Sequence, residues 1–299
     1  MPELHLIAGP NGSGKSTFTR EVHAGTRSVG YDIPTVINPD AIAQKLRPDD
    51  PDAAAAPAAR EALRQRAEAL AKGASFSIET TLSGKSEQRL IDDARAAGYR
   101  VTMTYVALDS ADRNVDRVNL RAEVEGRTVP AVDVRRRYER SLDALRDVVG
   151  RIDTIHVFDN SGRHFEPVAT LERGRVIAMA DHSPTWVERA LGPQLDVARD
   201  RAAVAEDAHA QLRGTKASIL TPTIRERPVK SQAVLTGRVL ATGREHVAIA
   251  ISRHSFSIVE RAALDRTPTV GDEIRVTLSE GRGVVESVSR ARDVPERGR

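Results

Sequence analysis

A glycine-rich stretch near the start of the chain constrains the fold more than any other part of the sequence. Residues 9–17 read GPNGSGKST and follow the apolar run LHLIA, which predicts a short buried strand. The stretch matches the pattern G-x-x-x-x-G-K-[ST] at every fixed position. Glycines in this pattern let successive backbone N–H groups curl around a phosphate at the start of a helix. The sequence therefore predicts a strand, a phosphate-binding loop and a helix in that order.

The residues of this loop have distinct roles in phosphate chemistry. Lys15 is spaced to reach the β and γ oxygens of a nucleotide, and the Ser16 hydroxyl is spaced to ligate Mg²⁺. We therefore predict that the chain binds ATP or GTP with Mg²⁺, with Lys15 also acting in catalysis and Ser16 as the metal ligand. The predicted nucleotide-binding residues are Gly9, Pro10, Asn11, Gly12, Ser13, Gly14, Lys15, Ser16 and Thr17.

Short apolar runs alternate with longer helix-favouring stretches over the first two thirds of the chain. After the first strand, further strands are predicted at 35–38, 74–78, 100–108 and 153–158, with a hairpin over 166–179. Helices are predicted between them, and Asp40 is the expected cap of the helix that begins AIAQKL. This alternation is typical of an α/β fold of the P-loop NTPase type, a mostly parallel sheet with helices on both faces.

The periodicity changes near the C-terminus and predicts a second domain. We assign residues 1–192 to the α/β domain, with a break at Gly192-Pro193, and 193–231 to a helix and a linker rich in turn-forming residues. Residues 232–290 contain short alternating runs separated by Gly, Asp or Pro, which predict a small all-β, barrel-like domain. Residues 291–299 are expected to form a disordered tail.

Composition limits the partners and the compartment. There are no cysteines, no apolar run approaches the roughly 18 residues of a spanning helix, and the N-terminus lacks a secretory pattern, so we expect a cytoplasmic protein with no membrane partner. Aromatic residues make up 3%, which disfavours a dedicated nucleic-acid reader built on base stacking. The net charge of +3 comes from the C-terminal part and is small for a nucleic-acid footprint.

Polar side chains follow the predicted strands at the edge where a doubly wound sheet carries its site. Asp40 is the candidate general base that takes a proton from an acceptor hydroxyl, and a helix cap alone is the other interpretation. Glu79 would hold a Mg²⁺-bound water or an acceptor hydroxyl, unless it is a plain polar strand end. Thr80 and Thr81 are further candidates for substrate binding.

Phosphoryl transfer also needs cations, because negative charge spreads over the transferring group in the transition state. Arg117 and Arg121 lie one helical turn apart, and Arg127 follows that helix, a spacing that allows a lid over the nucleotide. We predict catalytic roles for Arg117 and Arg127 and substrate binding for Arg121. A solvated helix face is the alternative for each of them.

Six blocks together resemble the zeta-toxin family of P-loop kinases over residues 3–190: IAGPNGSGKST, VINPDAIA, FSIETTLSG, GYRVTMTYVAL, DRVNLRAEVEGRTVPAVDVRRRYERSLDAL and HVFDNSG. The resemblance implies an ATP- or GTP-dependent kinase that phosphorylates the 3′-hydroxyl of the sugar in UDP-N-acetylglucosamine. It also implies toxin activity and an antitoxin protein as a possible partner. Carried over, Lys15 is the loop lysine, Asp40 the catalytic aspartate, Glu79 the substrate- or metal-side glutamate, and Arg117 and Arg127 the lid arginines.

The C-terminal part resembles the small KfrB-type domain of plasmid-encoded proteins. That resemblance implies docking to a partner or to nucleic acid, and a stabilising appendage is the other interpretation.

Two other functions remain open from the sequence. The kinase could act on a nucleoside, an RNA end or another metabolite. Alternatively, the chain could be a nucleotide-dependent, plasmid-associated binding protein in which the P-loop is a switch.

Overall fold

The computed structural model describes residues 1–125, 129–213 and 223–288, with the side chains of residues 124 and 125 left out. Arg127, part of the predicted linker and the predicted tail lie outside these ranges. The chain divides into two compact units, Met1–Gln194 and Leu195–Arg299. Among the described helices, none is both long and apolar enough to cross a membrane.

The first unit alternates strands and helices, as the sequence predicts. Its elements are β1 (Glu3–Ala8), α1 (Lys15–His23), α2 (Pro39–Leu46), α3 (Ala55–Lys72), β2 (Phe76–Thr80), α4 (Lys85–Ala96), β3 (Arg100–Ala107), α5 (Ala111–Glu125), α6 (Ala131–Val148), β4 (Thr154–Asp159), β5 (Glu166–Glu172), β6 (Arg175–Met179) and the first part of α7 (Thr185–Arg213).

One six-stranded sheet forms the centre of this unit, in the order β2-β1-β3-β4-β5-β6. The first four strands are parallel, and the β5–β6 hairpin adds two antiparallel strands at one side. The parallel strands are buried along nearly their whole length, as expected for a sheet covered on both faces. This topology confirms the predicted mostly parallel P-loop type of fold. Parallel pairing also brings the carboxyl ends of β1, β2 and β3 to one edge.

The strand predicted at 35–38 is wrong, because only Val36 forms a bridge, to Ser77 of β2. The backbone N–H of Ile37 donates to Ser77 O at 2.8 Å, and the pairing ends there. Pro39 stops it, since proline lacks an N–H and its fixed φ favours the first position of a helix. The segment nevertheless lies beside β2 and runs in the same direction.

The cap of α2 is Asn38 rather than Asp40, which corrects the second sequence prediction in this region. Asn38 Oδ1 accepts a hydrogen bond from the backbone N–H of Asp40 at 2.9 Å. The helix starts two residues earlier than predicted because Pro39 occupies its first turn. The carboxylate of Asp40 is therefore not used as the cap.

Helix α7 runs through Gly192-Pro193, where the sequence predicts a break. A proline inside a helix removes one backbone hydrogen bond and costs about 3 kcal/mol. Ala190, Leu191 and Leu195, on both sides of it, are fully buried. Their packing compensates for that cost, since tertiary contacts supply most of the stability of a helix in a protein.

The second unit contains a six-stranded sheet in the order β12-β11-β8-β9-β10-β7. Its strands are β7 (Arg225–Glu226), β8 (Ala233–Thr242), β9 (His246–Ser252), β10 (Ser255–Glu260), β11 (Glu273–Ser279) and β12 (Arg282–Ser287). The predicted C-terminal β structure is thus confirmed.

Strand β8 is long and belongs to both halves of this sheet. Its first part pairs with β11 and its last part with β9. A Cβ atom at Gly237 would overlap Ala250 O, so only glycine allows β8 to pass so close to β9. The side chains of Val204 and Ala208 in α7 pack against one face of this curved sheet.

Candidate active site

The glycine-rich loop follows β1 and ends at the first turn of α1, as predicted. Gly9, Gly12 and Gly14 all have positive φ values, at 141°, 75° and 99°. A Cβ atom at Gly9 would overlap the Val106 carbonyl oxygen of β3, so this position excludes any larger residue. The sequence folds here into a tight turn whose peptide groups crowd against the carboxyl end of β3.

The Lys15 ammonium lies within its own loop. Its Nζ donates to the carbonyl oxygens of Gly9 and Pro10, each at 2.8 Å. Burial lowers the pKa of Lys15 to about 8; the Glu79 carboxylate opposes this shift and the Arg121 guanidinium adds to it. The lysine is therefore a partly desolvated cation beside the space that a phosphate would enter.

Ser16 and Glu79 meet at the shared edge of the sheet. β2 pairs in parallel with β1, with Ile7 opposite Glu79, so Glu79 projects beside the start of α1. Ser16 Oγ donates to Glu79 Oε2 at 2.7 Å. A hydroxyl and one carboxylate suit Mg²⁺, which binds proteins through one or two oxygen ligands and completes its shell with phosphate and water. In the described part of the chain, no group of three or more His, Cys, Asp or Glu side chains could hold a metal ion by itself.

Thr80 and Thr81 take part in the turn after β2. Thr80 is buried, and its Oγ1 accepts a hydrogen bond from the backbone N–H of Leu82 at 2.9 Å. The hydroxyl groups of Thr81 and Ser83 lie 2.7 Å apart. Leu82 is fully buried and has a φ of 54°, a conformation that non-glycine residues rarely adopt. The two threonines therefore shape this turn; their predicted contact with substrate stays a prediction.

Asp40 lies in the first turn of α2, and its side chain is exposed. The bridge between Val36 and Ser77 aligns the preceding segment with β2. Asp40 therefore comes after the end of that segment at the same edge of the sheet as Glu79. Its role as a base stays a prediction.

A cavity of about 650 Å³ opens in front of the loop. This volume is in the range of pockets that hold nucleotide-sized ligands. Four cationic side chains and one carboxylate line it among the described residues: Lys15, Arg117, Arg121, Arg163 and Glu21. This donor set and the glycine turn together fit a polyanion such as a nucleoside triphosphate with its Mg²⁺.

The structure thus brings Lys15, Ser16, Arg117 and Arg121 to one cavity. Arg127 lies outside the described residues, so its predicted place in the lid is not described.

Asn160 and Arg163 are among the lining residues that the sequence predictions lack. Both follow β4, where the run HVFDNSGR reaches the same edge of the sheet, and that position is the signal that could have found them.

The fold and the site together define a protein of the P-loop class. A family model described as an AAA domain matches residues 4–144. An uncharacterized protein of Haemophilus influenzae is 31% identical over 134 residues, which cover 44% of this chain and 90% of that protein. The chain belongs to the same family as this Haemophilus influenzae protein.

Solved structures of more distant proteins are also similar. The crystal structure of AvrRxo1-ORF1:-ORF2 with ATP is 16% identical with a TM-score of 0.48, covering 65% of this chain and 64% of that chain. A PezAT toxin-antitoxin structure from Streptococcus pneumoniae is 13% identical with a TM-score of 0.43, covering 68% and 86%. A gluconokinase from Sinorhizobium meliloti is 16% identical with a TM-score of 0.30, covering 68% and 96%. The chain spans slightly less than two thirds of the AvrRxo1 protein.

Proposed function

We propose that the protein is a kinase that transfers the γ-phosphoryl group of ATP or GTP to an alcohol hydroxyl of a small molecule. The observation that supports this most is the convergence of Lys15, Ser16 and Arg117 on one cation-rich cavity, with the Glu79 carboxylate accepting a hydrogen bond from Ser16. Kinases of this class act mainly by positioning the phosphates and stabilising their charge, and these residue types supply both.

Binding of the nucleotide would rearrange the contacts of the loop. Lys15 would exchange the carbonyl oxygens of Gly9 and Pro10 for β and γ oxygens. Ser16 Oγ would turn from Glu79 to the metal, with Glu79 orienting the water around it. A bound Mg²⁺ supplies neutralising charge at the β- and γ-phosphates. Arg117 and Arg121 would stabilise the charge that develops on the transferring group.

Asp40 would act as the general base. Its exposed carboxylate, at the edge of the sheet that carries the loop, would accept the proton of the attacking hydroxyl. Of the remaining members of the proposed site, Arg127 would add positive charge near the transferring group, and Thr80 and Thr81 would shape the part of the site that contacts the acceptor.

The 3′-hydroxyl of the sugar in UDP-N-acetylglucosamine is the acceptor we propose first. Its support is the sequence resemblance to the zeta-toxin kinases over residues 3–190 and the position of Glu79 beside Ser16. An antitoxin protein that covers the nucleotide site is proposed on the same resemblance.

The acceptor can be tested by incubating the full chain with γ-labelled ATP, Mg²⁺ and single acceptors. We expect label in UDP-N-acetylglucosamine, lost in the Lys15→Ala protein. Label in a nucleoside or an RNA end instead would keep the kinase and replace the acceptor. Phosphoryl transfer that continues in the Lys15→Ala protein would contradict the assignment of the active site to this loop.

A further inference from the structure

Asn160 joins the phosphate-binding loop to α5, the helix that carries Arg117. It follows β4 directly and is 8% exposed. Its side-chain Nδ2 donates to the Ser13 carbonyl oxygen at 2.8 Å, and its backbone carbonyl oxygen accepts from Arg117 Nη2 at 2.8 Å. A single residue thus contacts both the loop and the predicted transition-state cation.

The loop is shaped to admit this amide. A Cβ atom at Gly14 would overlap Asn160 Nδ2 and would lie 3.3 Å from the ring of Phe165. Gly14 therefore provides space as well as its φ of 99°. The last glycine of the motif and Asn160 form one packed unit.

The contact also fixes the orientation of a peptide group. The chain has no cis peptide bond among the described residues, so the Ser13–Gly14 peptide is trans and planar. The Ser13 C=O points at Asn160, and the N–H of Gly14 must therefore point in the opposite direction. Since Gly14 lines the cavity, this N–H is one of those available to a phosphate.

The turn that carries Asn160 is itself held by the core. The backbone N–H of Asn160 donates to Ala107 O at 2.9 Å. Ser161 Oγ donates to Asp159 Oδ1 at 2.9 Å, and the same oxygen accepts from Trp186 Nε1 at 2.8 Å. Asp159 and Trp186 are both buried, so Asn160 is attached to a rigid part of the sheet. It can therefore impose an orientation on its partner in each contact.

We propose that Asn160 is a positioning residue whose side chain presets the Ser13–Gly14 peptide for phosphate binding and whose backbone carbonyl holds Arg117 at the cavity before nucleotide binds. The part that concerns Arg117 rests on the proposed kinase function, whereas the part that concerns the loop requires only nucleotide binding.

The test compares Asn160→Ala and Asn160→Asp with the parent chain by calorimetric titration of MgADP and MgATP. Removing one partner of a buried hydrogen bond leaves the other unsatisfied, so we expect the nucleotide Kd to rise at least about tenfold in Asn160→Ala. Asn160→Asp keeps the shape, loses the donor and adds a negative charge near the phosphates, so its Kd should rise further. If Asn160→Asp does not fold, Asn160→Ser is measured in its place. The increase in its nucleotide Kd should be at least half of the increase seen in Asn160→Ala.

Tyr99→Phe is the matched control. Tyr99 also donates to backbone carbonyl oxygens, those of Ala69 and Ala74 at 2.8 and 3.0 Å, but near the opposite edge of the sheet. Its nucleotide Kd should stay within twofold of the parent value. A purely structural role for Asn160 would lower the thermal midpoint in both proteins without this difference in Kd.

Turnover tests the link to Arg117. Asn160→Ala keeps the backbone carbonyl that accepts from Arg117, so at saturating nucleotide it should change kcat by the same factor in the parent chain and in an Arg117→Ala background. A smaller factor in the Arg117→Ala background would overturn the assignment of the Arg117 contact to the backbone of Asn160. A folded Asn160→Ala protein with a Kd within twofold of the parent would overturn the proposal for the loop. If the parent chain binds MgATP but transfers no phosphoryl group, the proposed kinase function and the role of the Arg117 contact are both wrong. The comparison of Kd values would still test the role of Asn160 in the phosphate-binding loop. A parent chain that binds no nucleotide would overturn both.

Discussion

At the residue scale, the hydrogen bonds of Lys15 within its own loop are the contacts that a bound nucleotide would replace. Its ammonium donates two hydrogen bonds to carbonyl oxygens of its own loop. Burial, together with Arg121 and against Glu79, holds the pKa of Lys15 at about 8. Phosphate oxygens would replace the carbonyl oxygens with charged partners and so raise this pKa.

Proton uptake on nucleotide binding follows from that shift. Above pH 8 a growing fraction of the free protein has neutral Lys15, and the bound protein has the charged form, so binding takes up a proton. Affinity for ATP should therefore fall as the pH rises above 8. Titration calorimetry at pH 8.5 in buffers of different ionisation enthalpy measures the uptake. Lys15→Met should show none, and absence of uptake in the parent chain would contradict the account.

Glu79 should set the magnesium requirement. Glu79→Gln keeps the shape and removes the charge beside Ser16, so the Mg²⁺ concentration for half-maximal nucleotide affinity should rise at least about fivefold. Glu68→Gln, which changes an exposed glutamate of α3, is the control and should leave this concentration unchanged. If Glu79→Gln and the parent chain need the same Mg²⁺ concentration, the assignment of Mg²⁺ to the Ser16–Glu79 pair is wrong.

At the scale of elements, two hairpin turns each place a non-glycine residue at positive φ, which is unfavourable. The β5–β6 turn has Arg173 and Gly174 at positive φ, and the β11–β12 turn has Glu280 and Gly281 at φ of 49° and 79°. Two consecutive residues at positive φ characterise the type I′ turn, which favours Asn-Gly.

Glu280→Asn should therefore stabilise the β11–β12 hairpin by about 0.5 to 1 kcal/mol, part of the cost of a non-glycine residue in this region. Amide hydrogen exchange of β11 and β12 measures the gain. Glu286→Asn, in the extended strand β12, should slow no amide, because asparagine is disfavoured in strands. Faster exchange in Glu280→Asn would contradict the turn assignment.

At the scale of the whole molecule, the described residues that line the nucleotide cavity all belong to the first of the two units. Damage confined to the second unit should therefore leave nucleotide binding intact. Gly237→Ala would force a Cβ atom onto Ala250 O and should speed amide exchange in β8 and β9. We expect the MgATP Kd to stay within twofold of the parent value. A larger loss of affinity would show that the second unit contributes to the site.

The stability of the first unit should depend on one buried histidine. His5 Nε2 lies 2.9 Å from Thr104 Oγ1, and burial, followed by the charge of His156, lowers the pKa of His5 to about 3. The unfolded chain then binds this proton from about pH 6.5 downward and the folded chain does not. Stability is therefore lost as the pH falls from about 6.5 to 3, by about 1.4 kcal/mol per pH unit for this proton.

Urea unfolding followed by the fluorescence of Trp186, the single tryptophan, measures this dependence. His5→Gln should show a shallower loss of stability between pH 6 and 4 than the parent chain. His182→Gln changes an exposed histidine of the same unit and should keep the parent slope. Equal slopes in all three proteins would contradict the burial of a neutral His5.

Local patterns predicted most of the first unit, because a strand, a glycine loop and a helix each depend on adjacent residues. The position of Asn160 after a predicted strand could have placed it at the edge of the sheet, but not in contact with Ser13, because that contact joins residues 147 positions apart. Pro39 shifted the start of α2 and moved the cap to Asn38. Burial around Pro193 outweighed a local helix breaker. The predictions that were wrong thus lie where local conformational preference competes with tertiary packing or with a neighbouring proline.

The central claim is that a nucleotide held by the loop gives its γ-phosphoryl group to a hydroxyl deprotonated by Asp40. It is tested most directly by measuring single-turnover transfer and MgATP affinity together in the parent chain and in Asp40→Asn. The account predicts a Kd within about threefold of the parent value and a transfer rate lower by at least about a hundredfold. An Asp40→Asn protein that transfers phosphate at the parent rate would contradict it.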